Sequence, residues 1–366
     1  MPSVDSVVEW LVSGVSGAKS PVDVLARMNP DLVAAGVPID RCEAFVRTLH
    51  PHIAGRSFVW APGQNVVVSE VTYAYLHSPA VADVFRTSKT ARFRLDGFTD
   101  AIACPMAFIT GQVHAITFAT RRAGGFTDDD VRAFERVLPP LSRIAEIFAL
   151  ARTATNLLNT YVGHDAGERI LAGHIQRGDT AIIRAAIWFS DLRGFTSMSS
   201  ALAPTDIIAV LNDIFDCQVP AIEKHAGEVL KFMGDGMLAI FPIVEDAARA
   251  RRCDDAIAAV RDAFASLDTL NGKRAGAGKD AVRFGVGLHV GEIAYGNIGG
   301  SGRLDFTCIG PAVNLAARLE SLTGKLGKNV VVSEDFSRLT SAKLEPLGPF
   351  ELKGVPVAEN VFAPIG

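Results

Sequence analysis

A chain of 366 residues is too long for one ordinary hydrophobic core, and the sequence therefore predicts two domains. Hydrophobic residues make up 49% of the chain and charged residues 21%, a balance that excludes an intrinsically disordered protein. The net charge of -4 provides no basic surface for a nucleic acid or for an anionic membrane.

The five cysteines are scattered and show no spacing typical of a metal or redox site, as expected for free thiols in a reducing cytosol. The N-terminal segment lacks the basic and apolar regions of a signal peptide. No apolar run reaches the length of about 18 residues that a membrane span needs. We therefore expect a soluble cytoplasmic protein.

The N-terminal part of the chain predicts short helices followed by strands. Ser20 is placed to cap a helix that begins at Pro21, and Asp40 is placed to cap a helix that ends at His50. The turn Thr110-Gly-Gln is typical of a hairpin. Strands are predicted over residues 57–60, 65–71, 104–110 and 113–120.

A long helix is predicted after these strands. Thr127 is its cap, acidic residues fill its first turn, and it continues towards residue 160 with a break at Pro139-Pro140. Strands that lead into such an exit helix resemble a GAF-type sensory domain, and the segment FTDDDVRAFERV is similar to the C-terminal helix of that family. The resemblance implies a regulatory domain over residues 1–150 that binds an unidentified small molecule.

Residues 151–180 predict a helical connector, because their apolar residues recur at roughly helical spacing. Pairing of this connector across a dimer and packing within one chain both remain open.

Strands and helices alternate over residues 181–366. Their βαββαβ order predicts an α+β domain with a ferredoxin-like core. The polar segment 271–280 lacks the glycine spacing of a phosphate loop, and we interpret it as a flexible surface loop. The predicted elements are strands 181–190, 228–233, 237–242, 282–290 and 292–296, and helices 194–201, 205–225, 245–270 and 311–325.

Two aspartates are expected to meet at one end of this core. Asp191 ends the first strand and Asp235 lies at the tip of the hairpin, and the first strand of such a fold lies beside the third. Two carboxylates with open positions suit Mg²⁺ or Mn²⁺. The helix that starts at Gly194-Phe195-Thr196 directs free N–H groups at the same place, as an anion site requires.

Asn314 and Arg318 are four residues apart on a predicted helix and therefore share one face. They lie among the small residues Ala316 and Ala317, which suit a tight interface. An arginine fork of this kind can neutralise charge that builds on a phosphorus centre.

Four motifs in this order resemble the catalytic domain of class III nucleotidyl cyclases. They are FSDLRGFT, KFMGDGMLAIFP, HVGEIAYGNIGG and DFTCIGPAVNLAARLE, and the resemblance covers residues from about 181 to 354. It implies that Asp191 and Asp235 hold two Mg²⁺ or Mn²⁺ ions, with the backbone carbonyl of Leu192 on the second. One ion would activate the ribose 3′-hydroxyl of ATP, and the other would bind the β- and γ-phosphates.

The same resemblance implies roles for three further residues. Asn314 would orient the ribose, Arg318 would stabilise the transition state, and Lys353 would contact the terminal phosphates. It also implies a homodimer with two shared active sites, in which the metal carboxylates come from one protomer and the base-reading and transition-state residues from its partner.

The choice of base rests on Lys231 and Thr307. A lysine only donates hydrogen bonds, which suits N1 of adenine, and a threonine hydroxyl can accept from the 6-amino group. Threonine at this position marks a subclass that includes bicarbonate-responsive members. Glu292 follows His-Val-Gly where related cyclases can carry an arginine, which removes the basis for a phosphate contact there.

The sequence thus predicts an adenylate cyclase that is regulated by its N-terminal domain. A guanylate cyclase is the nearest alternative and is disfavoured by Lys231, while the Gly-Gly-Asp/Glu-Glu-Phe signature of diguanylate cyclases is absent. A catalytically silent nucleotide-binding domain is the third alternative. Such a domain should have lost a metal carboxylate or the pair Asn314 and Arg318, and all four residues are present.

Overall fold

The computed structural model describes residues 2–48, 53–71 and 79–365. The chain divides into two compact units, Met1–Leu157 and Leu158–Gly366. Within the described ranges, none of the helices combines the length and the apolar character that crossing a membrane requires.

The first unit is built on an antiparallel sheet of six strands. Its strands are β1 (Arg41–Arg47), β2 (Gly55–Trp60), β3 (Val67–Val71), β4 (Ala91–Phe93), β5 (Asp100–Ala107) and β6 (Val113–Thr120). Its helices are α1 (Val4–Val12), α2 (Pro21–Ala34), α3 (Pro79–Thr87) and α4 (Asp128–Val162), which extends past Leu157. The strand order is β3-β2-β1-β6-β5-β4, and a hydrophobic core lies between this sheet and helices α1, α2 and α4.

Two helix starts follow from their capping residues as predicted. The hydroxyl of Ser20 accepts from the backbone N–H of Asp23, and Pro21 occupies the first turn of α2. At the start of α4, the hydroxyl of Thr127 accepts from the N–H of Asp130 at 3.3 Å. The Asp130 carboxylate accepts in return from the N–H of Thr127 at 2.7 Å, so the two residues cap the helix reciprocally.

The helix predicted from Asp40 to His50 is wrong, because β1 occupies most of that segment. β1 pairs with β2 on one side and with β6 on the other, and its residues Cys42 and Ala44 are buried in the core. Residues 49 and 50 lie outside the described part of the chain. Pairing with β6 is a contact between distant segments, which local capping signals do not reveal.

The predicted break at Pro139-Pro140 is also wrong, since α4 runs through both prolines without interruption. Each proline removes one backbone donor from the helix. The neighbouring residues Val137, Leu138 and Leu141 are buried against the sheet. Packing of this face holds the helix where its sequence alone favours a break.

The second unit contains a mixed sheet of eight strands. Its strands are β7 (Thr180–Leu192), β8 (Glu228–Met233), β9 (Gly236–Ile243), β10 (Phe284–Gly300), β11 (Arg303–Ile309), β12 (Val330–Ser333), β13 (Leu344–Phe350) and β14 (Glu359–Pro364). Its helices are α5 (His164–Leu171), α6 (Phe195–Ala201), α7 (Pro204–Lys224), α8 (Arg249–Gly276), α9 (Pro311–Leu326) and α10 (Glu334–Ser337), with a 3₁₀ turn at Asp246–Ala248.

The sheet has the order β13-β14-β12-β10-β7-β9-β8, and β11 pairs with β10. Its segment β8-β9-β7-β10 is the predicted ferredoxin-like core, in which the first strand lies beside the third. Helices α7 and α8 cover one face of this core, and α9 covers the other.

The segment 271–280 differs from the predicted loop, because α8 continues to Gly276. The side-chain amide of Asn271 bonds to both the N–H and the carbonyl of Val282, at 2.8 and 2.9 Å, and so ties the helix end to the next strand. The strands predicted over 282–290 and 292–296 are one continuous strand, β10, and β11 was not predicted.

The glycines of β10 allow α9 to lie directly on the strand. A Cβ atom at Gly287 would stand 2.2 Å from the carbonyl oxygen of Ala316 and 2.4 Å from the nitrogen of Glu320. Both of these atoms belong to the α9 backbone, so the helix would have to move to admit any side chain there.

We expect Gly287→Ala to lower the free energy of unfolding by about 1–3 kcal/mol, because the methyl group overpacks a contact between two backbones. Gly272→Ala is the matched control, since a Cβ there meets nothing within 4 Å inside a helix. The control should be unchanged or stabilised by about 0.5–1 kcal/mol. Urea denaturation of both variants measures the difference, and equal midpoints would contradict this packing.

Candidate active site

The structure brings Asp191 and Asp235 together. Asp191 is next to the last residue of β7 and lies opposite Gly236 of β9 and Gly285 of β10. Asp235 lies in the turn that joins β8 to β9, directly before Gly236. The two carboxyl groups are close enough for the charge of one to shift the pKa of the other.

Neither aspartate forms an ion pair with a basic side chain in residues 2–48, 53–71 and 79–365. Burial and, second, the neighbouring charge of Asp235 together raise the pKa of Asp191 to about 6. In the described ranges, no group of three or more His, Cys, Asp or Glu residues is arranged to hold a metal ion. Two facing carboxylates fit Mg²⁺ or Mn²⁺, which complete their coordination with water, backbone oxygens and phosphate.

A third carboxyl group, which was not predicted from the sequence, lies near this pair. Glu320 of α9 is buried, and its pKa is raised to about 7 by burial and then by the charge of Asp191. The Arg193 guanidinium opposes this rise, and it also donates to the backbone carbonyl of Lys328. The only sequence signal for Glu320 was its place two residues after Arg318 in the motif NLAARLE.

The predicted anion-binding helix begins directly after β7. Gly194 is the N-cap residue of α6 with φ +76°, and no side chain caps the helix. Phe195 packs partly against the core while Thr196 is exposed, and the side chain of Leu192 is buried. The first-turn N–H groups therefore lack a capping partner beside the paired carboxylates.

A second group of site residues lies on β8 and β11. The ammonium of Lys231 pairs with the carboxylate of Asp305 at 3.1 Å. The hydroxyl of Thr307 is buried and has no hydrogen-bond partner in the described part of the protein. Asp305 and Thr307 are two residues apart on β11 and so face the same side of the sheet. Asp305 was missed because β11 itself was not predicted.

The third group consists of Asn314, Arg318 and Lys353. Asn314 is exposed and Arg318 half-buried, one turn apart on α9. A Cβ atom at Gly354 would lie 3.9 Å from Nη2 of Arg318, and Lys353 directly precedes this glycine in an exposed turn. The structure therefore places the predicted phosphate-binding lysine next to the turn that Arg318 touches.

The predicted metal pair and the predicted base-reading residues are carried by different strands. Asp191 lies opposite Gly285, and Thr307 lies opposite Gly296, eleven residues further along β10. Lys231 on β8 lies opposite Leu238 of β9, two residues from Gly236, and reaches across to Asp305 of β11. The two groups are therefore linked through β8 as well as through β10.

Glu292 forms an ion pair within the sheet. It lies opposite Arg184 in the β7–β10 ladder, and the two side chains form an ion pair at 2.7 Å. This pairing accounts for a carboxylate at a position where related cyclases can carry an arginine.

Comparison with known proteins decides the family. Residues 180–363 match the family described as the adenylate and guanylate cyclase catalytic domain. This chain belongs to that family. The match begins at the first residue of β7 and contains every predicted site residue.

Two curated relatives and one solved structure show the extent of the likeness. The chain is 35% identical over 169 residues to an adenylate cyclase of Anabaena cylindrica, covering 45% of this chain and 32% of that protein. It is 28% identical over 238 residues to adenylate cyclase 1 of Rhizobium meliloti (strain 1021), covering 62% of this chain and 35% of that protein. The chain therefore spans about a third of the length of these relatives.

The structure of a bacterial light-regulated adenylyl cyclase superposes with a TM-score of 0.51 and 22% identity. The superposition covers 70% of this chain and 82% of that one, and it supports the fold alone.

We expect Asp191→Asn to raise the melting temperature at pH 8 in the presence of a chelator, because the substitution removes one of two facing charges. In millimolar Mn²⁺ the wild-type protein should have the higher melting temperature, since only the wild-type protein keeps both carboxylates. Because the pKa of Asp191 is raised to about 6, the repulsion acts above that pH and is lost below it. The difference in chelator should therefore shrink between pH 8 and pH 5.

Asp268→Asn is the matched control, since Asp268 is an exposed acid on α8. Scanning calorimetry of the three proteins with and without Mn²⁺ makes the measurement. If Mn²⁺ stabilises Asp191→Asn as much as it stabilises the wild-type protein, the pair is not a metal site.

Proposed function

We propose that this protein is an adenylate cyclase that converts ATP to 3′,5′-cyclic AMP and pyrophosphate. The observation that carries the proposal is the facing pair Asp191 and Asp235 beside the uncapped start of α6, in a chain of the cyclase family. The curated relatives named above carry the name adenylate cyclase, which favours this activity over guanylate cyclase.

Asp191, Asp235 and the backbone carbonyl of Leu192 would hold two Mg²⁺ or Mn²⁺ ions. When bound, such ions favour ionisation of the ribose 3′-hydroxyl and neutralise charge on the β- and γ-phosphates. The protein's own part is to hold both carboxylates at the end of β7 in spite of their repulsion.

The phosphates and the ribose would be bound by the remaining predicted residues. The N–H groups of Gly194, Phe195 and Thr196 would donate to the polyphosphate at the start of α6. Arg318 would donate to the phosphorus centre as its charge builds, and Lys353 would bind the terminal phosphates. Asn314, one turn before Arg318, would orient the ribose.

The base would be read by the group on β8 and β11. The Thr307 hydroxyl is buried without a partner, and an adenine 6-amino group would supply the missing hydrogen bond. Lys231 would donate to N1 of adenine, whereas guanine carries a proton at N1 and would set donor against donor. The Asp305 carboxylate would hold the Lys231 ammonium in place.

The active unit would be a homodimer. The resemblance to class III cyclases assigns the metal carboxylates to one protomer and Lys231, Thr307, Asn314 and Arg318 to its partner, so a second copy would complete each site. Helix α4 also exposes an apolar stripe at alternating intervals of three and four residues, which suits parallel pairing of two helices. The stripe consists of Ile147, Leu150, Ala154, Leu157 and Tyr161.

Residues 1–150 would form a GAF-like regulatory domain with a small-molecule ligand, residues 151–180 a helical connector, and residues 181–366 the catalytic domain. A six-stranded antiparallel sheet followed by the long helix α4 supports this organisation. The connector contacts the strand that leads to the proposed site, because the Glu228 carboxylate of β8 accepts from the N–H of Asp165 at 3.1 Å. It thereby caps α5, whose own N-cap residue Gly163 has no side chain.

The purified protein should release cyclic AMP from ATP with Mg²⁺ or Mn²⁺, and should prefer ATP to GTP. Asp191→Ala and Asp235→Ala should each lower kcat about 10²-fold or more, because losing a metal ligand removes several kcal/mol of charge stabilisation. Chromatographic product analysis makes the test. A wild-type preference for GTP would give the alternative of a guanylate cyclase, and absence of turnover with both would give a silent nucleotide-binding domain.

Inactive Asp191→Ala and inactive Arg318→Ala protomers should restore activity when combined, because a heterodimer then retains one intact site of two. Heterodimers isolated with two affinity tags should show about half of the wild-type specific activity. The control combines Asp191→Ala with Asp235→Ala, which damage the same half and should stay inactive together. If the first heterodimer is as inactive as the control, the sites are not shared.

A further inference from the structure

The first unit contains a groove of about 430 Å³ with a basic rim, which we call the basic groove. Lys19, Arg47 and Arg152 stand at this rim, at the start of α2, the end of β1 and on α4. None of the three forms an ion pair within the residues that the structure describes. Arg56 also lines the groove but is paired with Glu70 at 2.6 Å. The described lining residues include no carboxylate.

The floor of the basic groove is apolar. Val46, Phe58 and Phe148 line it, together with Val68, whose side chain is 41% exposed. Exposed apolar surface costs roughly 25 cal/mol per Å², so a molecule with an apolar body would gain free energy by covering it. The volume falls within the about 300–1,000 Å³ of ordinary small-molecule sites.

A buried polar atom adds a further requirement. The hydroxyl of Thr48 at the end of β1 is buried without a hydrogen-bond partner among the described residues. Thr48, Arg47 and Ala149 line both the basic groove and a neighbouring cavity of about 560 Å³, so Thr48 lies where the two spaces meet. A ligand acceptor in the groove would satisfy it.

An anionic ligand follows from these charges. Two guanidinium groups without counter-ions match the planar geometry of a carboxylate, which can also accept from a hydroxyl. A cation or a second basic group would add to the repulsion already present at the rim. An apolar floor next to this head-group site selects a molecule whose charge is confined to one end.

We propose that the basic groove binds a monocarboxylate with an extended apolar body, of the fatty-acid type. Its carboxylate lies between Arg47 and Arg152 and accepts from the hydroxyl of Thr48, and its chain covers the floor beside Phe148. This assignment names the ligand class of the regulatory domain proposed above and in that respect rests on that proposal.

Isothermal titration of the full-length protein with decanoate at pH 8, below its aggregation concentration and without ATP, tests the assignment. We expect saturable binding of decanoate, binding of decanol that is about tenfold weaker or more, and no binding of acetate. Decanol lacks the charge and acetate lacks the apolar body, so each removes one half of the recognition.

The double variant Arg47→Gln/Arg152→Gln should weaken decanoate about tenfold or more and leave decanol unchanged. Arg132→Gln is the matched control, since Arg132 is an exposed arginine of α4 outside the groove. Absence of decanoate binding, equal binding of decanoate and decanol, or a double variant that binds as the control does would each overturn the proposal.

The comparison of ligands on the wild-type protein keeps the test decisive even if the double variant does not fold. Binding is measured without turnover, so an inactive enzyme would leave this result standing. Absence of decanoate binding would likewise leave the proposed cyclase activity standing.

Discussion

The second unit depends on the way its central strand holds two like charges together. β7 lies between β9 and β10, which fixes Asp191 opposite Gly236 while Asp235 turns back over the same end. A Cβ at Gly236 would stand 3.0 Å from the carbonyl of Ser190, so glycine permits the close approach. The sheet thus maintains a repulsion between two carboxylates at the proposed metal site.

The length of β10 sets the second constraint. Its first residues lie beside the carboxylate pair, and its far end pairs with β11, which carries Asp305 and Thr307. Gly285 and Gly287 let α9 lie on the strand, which fixes the height at which Arg318 and Glu320 stand. The strand thus contacts the carboxylate pair near its start and the strand of Asp305 and Thr307 near its far end.

The sequence predicted those features that local chemistry determines. Asp191 and Asp235 were found because each ends a strand or a turn with its own signal, and the ferredoxin-like order brought them together. Glu320 and Asp305 were missed because their importance depends on neighbours that are distant in the chain. The same reason applies to β1, whose second partner β6 lies about 70 residues away in the chain. It also applies to α4, where packing against the sheet keeps the helix continuous through two prolines.

The side chain of Glu228 on β8 hydrogen bonds to the start of α5, which lies 63 residues earlier in the chain. Burial raises the pKa of this carboxyl group, yet it accepts from the N–H groups of Asp165 and Ala166 at the start of α5. Lys231 follows three residues later on the same strand, β8. A displacement of α5 would pull on an edge strand that ends in the turn of Asp235, so one strand carries both the proposed base-reading lysine and the approach to the proposed metal pair. A signal that reached α5 would therefore act on both groups of the proposed site through a single element.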